Sequence, residues 1–212
     1  MDPIRKAAVA GSWYPGSPVA IAAEVERYLA AVVSPPVPGR LVALISPHAG
    51  LRYSGPVAAY GYGLLRGRSA ITVVLVGPSH HAAFDGVALW ARGAFETPLG
   101  RVPIAEDLAS ELLAADPALA DDARAHRHEH SLEMQLPFLQ HVVPDLRLVP
   151  MLMGSQSRGE VEALAGVLAR VLAGHEVLLE PRATSRTTSR RPKRTAWTRS
   201  SRIASRASTP KA

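Results

Sequence analysis

Continuous apolar runs alternate with amphipathic stretches along the first 180 residues, and this alternation predicts most of the elements. Residues 41–47, 71–77 and 146–152 are short runs of mostly Val, Ile, Leu and Met that lack regular polar alternation, and 175–180 carries a shorter one at Val177-Leu178-Leu179. Runs of this kind read as strands buried on both faces, as in a parallel sheet. Residues 86–90 predict a further strand. Between them lie helical patterns. Ser17-Pro18 supplies an N-cap and a first-turn proline, and Ile21, Val25, Tyr28, Leu29 and Val32 then recur at helical spacing. A small-residue helix is expected near 57–65, with Ala58, Ala59, Gly61 and Gly63 allowing close approach to a sheet. Amphipathic helices are expected over 104–114 and 158–173. Leu132, Leu136 and Leu139 form a buried stripe, with Pro137 either kinking that helix or sitting in its first turn. The mostly polar and small residues 117–127, opened by a proline, read as a surface loop. Strands alternating with helices imply an α/β domain over residues 5–180, three-layered around a mainly parallel central sheet.

At Pro181 the pattern stops. Residues 1–180 hold 14 Lys and Arg and all 18 acids, for a net charge of −4, whereas residues 181–212 hold 10 Lys and Arg and no acid. The overall charge of +6 therefore belongs to the tail, which is too poor in apolar residues to offset its ordering entropy and is expected to be disordered. Arg and Ser without interleaved aromatics make a poor nucleic-acid reading surface, so a nucleic-acid partner is not expected. The 212-residue length suits one domain with a substantial core. No apolar run is long enough to span a bilayer or to serve as a signal peptide, and a cytoplasmic location is expected.

The chain has no cysteine, which excludes disulfides and thiolate ligands and leaves histidine as the leading metal-binding candidate. His48 and His80 each follow a predicted buried strand, and open α/β sheets bind ligands beyond the carboxyl ends of their strands. Imidazole accepts Fe, Zn and Cu. Two strand-end histidines therefore outline a metal site, against the plainer reading of histidines satisfied by backbone. His81 is a candidate to hydrogen-bond beside the metal ligands, or is simply exposed. His126, His128 and His130 alternate with Glu129 and Glu133 close by, and His130 and Glu133 share one helical face. For Ser131 and Glu133, helix capping is the plainer role. The cluster around His48 and His80 is expected to include His130 or Glu133, with Tyr53 and Trp13 close by.

Six motifs stand in order: Ala10-Gly11-Ser12-Trp13-Tyr14, Ser46-Pro47-His48-Ala49-Gly50, Tyr53-Ser54-Gly55, Gly77-Pro78-Ser79-His80-His81, Thr97-Pro98-Leu99-Gly100 and Glu129-His130-Ser131-Leu132-Glu133. Together they closely resemble the Memo family, the B component of the AmmeMemoRadiSam gene set, over residues 5 to about 179. Leu51 departs from the aromatic more often found there. The resemblance implies a fold similar to class III extradiol dioxygenases, which are non-haem iron enzymes. It also implies His48 and His80 as two metal ligands, Fe(II) as the metal with Cu or Zn as alternatives, and AMMECR-type and radical SAM proteins as partners. The family's later Ser-Ser-Asp-x-Ser-His motif and cysteine are absent. A one-base shift over the codons for residues 181–189 permits Ser-Ser-Asp-Leu-Ser-His-Tyr-Glu, so residues 181–212 are expected to be a frameshift product. The chain then reads as a C-terminally truncated, inactive member with a partial dioxygenase-like site. The alternative is a metal- or partner-binding protein without turnover.

Overall fold

The computed structural model describes residues 2–33 and 37–181. Its strands are β1 (Ile4–Arg5), β2 (Thr72–Pro78), β3 (Val87–Leu89), β4 (Ala94–Thr97), β5 (Gly100–Pro103), β6 (Leu119–Asp121), β7 (Arg147–Met153) and β8 (Val177–Pro181). Its α-helices are α1 (Pro18–Ala30), α2 (Leu51–Gly63), α3 (Glu106–Ala115), α4 (Ala123–His126), α5 (Leu136–Val142) and α6 (Arg158–Val171). Disorder and a shifted frame are expected over residues 181–212; Pro181 instead ends β8, paired with Val76, and residues 182–212 lie outside the described residues.

The main sheet has five strands in the order β6-β3-β7-β2-β8. β2 pairs in parallel with both β7 and β8, β3 pairs in parallel with β6, and the β3–β7 pair alone is antiparallel. β2 is an interior strand: Val73, Val74 and Leu75 have no exposed surface, which is why its sequence shows no polar alternation. Strand alternation sorts the helices onto opposite faces. Val177 and Leu179 of β8 border a groove beneath α6, whereas Glu180 on the opposite face reaches Tyr62 of α2. The sheet thus lies between α6 and α2, which makes three layers there. A second sheet, β1-β4-β5, carries the N-terminus, with β1 parallel to β4.

Several elements depart from the sequence reading. The run at 41–47 forms a single bridge, Ala43 to Leu179, instead of a strand. Leu44 N–H donates to Leu179 O at 2.9 Å and Leu179 N–H to Val42 O at 3.0 Å. Among the described residues this stretch is bridged on one side only, and Val42 and Ile45 are exposed, at 55% and 65%. Helix α2 begins at Leu51, six residues before the expected start, and accommodates Pro56 within it. Residues 117–127 hold β6 and α4, two elements too short to leave a periodic signal. The Leu132–Leu136–Leu139 stripe is buried as expected, and Pro137 occupies the first turn of α5, where its missing N–H has no intrahelical partner to lose.

Candidate metal centre

Parallel pairing brings the carboxyl ends of the 41–46 stretch, β2 and β8 to one side of the sheet. The first two deliver His48 and His80 there, and the segment between α4 and α5 adds His130. The three side chains each offer a ring nitrogen, and these atoms all lie within 4.8 Å of one another. Ring centroids are 5.5 Å apart for His48–His80, 4.7 Å for His80–His130 and 6.1 Å for His48–His130. His80 is exposed, while His48 and His130 are partly buried.

Glu129 organises the trio without joining it. Its buried carboxylate accepts from the backbone N–H groups of His80, His130 and Ser131, and it contacts His80 Nδ1 at 2.9 Å. Burial works to raise the Glu129 pKa, but the His80 and Ser131 hydrogen bonds outweigh it and hold the carboxyl at about 2. An ionised Glu129 favours the tautomer with a proton on His80 Nδ1, leaving the Nε2 lone pair free. Partial burial lowers the His130 pKa, against the pull of Glu129. The neutral, ligating form of that ring is therefore favoured.

The other expected residues take varied places. Trp13 packs on His130, with ring centroids 4.3 Å apart. His81 approaches His130 edge-on at 5.7 Å. Tyr53 follows closely in sequence but is 79% exposed. Glu133 is fully buried, and its carboxylate binds Arg5, the Ala8 and Val9 N–H groups and the Tyr14 hydroxyl. It clamps the N-terminal segment to the one that carries His130. Arg5 completes the clamp by donating to the carbonyls of His126 and Glu129.

Sequence reasoning missed Arg5, whose strand has only two residues, and the orienting role of Glu129. The Glu-His-Ser motif was the available signal for Glu129. Away from the trio, the Tyr62 hydroxyl on α2 lies within hydrogen-bond distance of both Gln135 Oε1 and Glu180 Oε1, and Gln135 Nε2 reaches Pro47 O at 3.4 Å.

A family profile described as "Memo-like protein" matches residues 5–179. The chain belongs to the Memo family. A MEMO1 family protein of Thermotoga maritima is 37% identical over 180 residues, covering 80% of this chain and 65% of that relative. MEMO1 family proteins of Thermotoga neapolitana and Pyrobaculum aerophilum are 40% and 36% identical, covering 76% and 80% of this chain. The match spans 62% and 63% of those two relatives, so this Memo-family chain accounts for less than two thirds of their length.

Donor chemistry bears on which ion the Memo-family trio fits. Three atoms all within 4.8 Å of one another leave a point no more than about 2.8 Å from any of them. Imidazole–metal bonds of about 2.0–2.1 Å then require each nitrogen to move by under about 1 Å. Three neutral imidazoles suit Zn, Cu or Fe, and a hard, carboxylate-seeking ion such as Ca is a poor fit. No helix among the described residues is long and apolar enough to cross a membrane.

Proposed function

We propose that this Memo-family chain holds a divalent transition-metal ion on His48, His80 and His130, with Glu129 orienting His80. The convergence of three ring nitrogens within 4.8 Å carries this reading. Three protein ligands leave coordination positions open, as catalytic sites do and closed structural sites do not. When bound, such an ion would supply Lewis-acid or, for iron and copper, redox chemistry. The chain's own contribution is to fix the ligand tautomer through Glu129 and to cover one side of His130 with Trp13.

The family's similarity to class III extradiol dioxygenases supports Fe(II) as the ion and a dioxygenase-like reaction as the family's chemistry. A carboxylate ligand completing the usual two-histidine iron set is not supplied by Glu129, whose oxygens are taken up by His80, His130 and Ser131. Without the Ser-Ser-Asp-x-Ser-His stretch, this chain is proposed to bind metal without turnover. AMMECR-type and radical SAM proteins are proposed as partners on the family resemblance alone. A cytoplasmic location is proposed on the same sequence grounds as before.

Anaerobic calorimetric titration with Fe(II), repeated with Zn(II), tests the metal reading. One ion per chain is expected, and His48→Ala, His80→Ala and His130→Ala should each abolish tight binding. Glu129→Gln should weaken it by about 10–100-fold, as loss of an orienting partner does. Binding that is unaffected by His130→Ala would remove that residue from the site. Sequencing the gene across the codons for residues 179–183 tests the reading-frame proposal: an intact frame would return residues 181–212 to the protein's own design.

A further inference from the structure

A cleft of about 670 Å³ is lined by residues that include Ser12, Trp13, Glu24, Arg27, Tyr28 and Arg52, and so shares Trp13 with the histidine trio. Its charges are unevenly matched. Glu24 accepts from the Tyr28 hydroxyl at 2.8 Å and lies 3.7 Å from Arg27, and the Arg27 guanidinium rests over the Tyr28 ring at 4.3 Å. These three side chains satisfy one another. Arg52 has no hydrogen bond or ion pair among the described residues, so its cation is uncompensated.

Trp13 supplies the apolar wall, and it is fixed rather than loose. Its carbonyl accepts from Leu51 N–H at 2.9 Å, which ties it to the start of α2, one residue before Arg52. Its ring touches His130 and is still 39% exposed. An immobilised indole beside a free guanidinium offers a flat apolar surface with one anion-binding corner. Guanidinium binds carboxylate through paired hydrogen bonds, and an indole stacks on planar rings.

We propose that this cleft binds a small planar carboxylate, its ring against Trp13 and its anion on Arg52, and so presents it beside the histidine trio. Its role as a substrate subsite rests on the metal-site reading above. The binding itself does not.

Benzoate is the probe. Binding is read by calorimetry and by the indole N–H resonance of Trp13 in ¹⁵N-labelled full-length chain, assigned with Trp13→Phe. A dissociation constant on the order of 1 mM is expected for so small a ligand. Arg52→Gln, at an exposed position, should weaken benzoate by about tenfold or more while leaving metal binding intact. Benzamide, the neutral isostere, should bind correspondingly less well than benzoate. His48→Ala should abolish metal binding and leave benzoate binding unchanged, so the two readings fail separately. The proposal is overturned if benzoate does not shift the Trp13 resonance, if Arg52→Gln binds it equally well, or if inorganic phosphate competes with equal affinity, which would make the corner a simple anion site.

Discussion

Glu180 is the residue least matched to its surroundings. It is fully buried near the end of β8; Oε1 accepts from Tyr62, and Oε2 has no partner among the described residues. Burial pushes its pKa from 4.5 up to about 8, against the opposing pull of the Tyr62 hydrogen bond. The folded chain therefore keeps a proton that the unfolded chain sheds, and stability falls as pH rises from about 4.5 to about 8. His126 works in the opposite sense: burial lowers its pKa from 6.5 to about 4, so stability is lost as pH falls across that interval. Of these two groups, only Glu180 changes charge state between pH 6.5 and 8 in the folded chain. Urea unfolding over that range should show a falling midpoint, and Glu180→Gln should flatten the slope and add about 2 kcal/mol at pH 8. A slope that survives the substitution would assign it to another group. At this scale the sequence was legible where a histidine directly follows an apolar run, as for His48 and His80. It was not legible for Glu129, whose role depends on a contact with a residue 49 positions away.

Elements were legible in proportion to their apolar length. β2 and β7 are continuous runs buried between layers, and their burial is written directly into composition, while β8 is shorter and buried on alternate residues. β1, β4, β5 and β6 have two to four residues of mixed polarity, too few for a period to show. The joint between β7 and the loop carrying His80 depends on one glycine. A Cβ on Gly154 would overlap the carbonyl oxygen of Phe84, while its N–H donates to Gly86 O at 3.1 Å. Gly154→Ala must displace backbone, and should cost about 3 kcal/mol in thermal or urea unfolding and weaken metal binding by moving the His80 loop. Gly159→Ala is the control. Open space surrounds that position near the start of α6, so it should be neutral or slightly stabilising. Equal losses in both variants would show that helix and strand termini tolerate nothing here, and that the close approach is not the cause.

For the whole molecule, the five-stranded sheet ends in the bridged 41–46 stretch, where Val42 and Ile45 face outward. An apolar edge with free backbone groups is a template for pairing with another chain. Light scattering should rise with protein concentration, and Ile45→Lys should reduce it while changing stability by less than about 0.5 kcal/mol. If scattering is unchanged, association runs through another surface, such as the exposed Tyr53, Val57 and Tyr60 of α2. The order of strands also governs how the chain is made. β2 is complete at Pro78, but its two neighbours begin at Arg147 and Val177. A ribosome releasing the chain from its N-terminus exposes this apolar strand early and supplies its second partner almost last. The nascent polypeptide thus passes through a long interval with this interior strand unpaired, the situation in which chaperone capture and misassembly compete with folding.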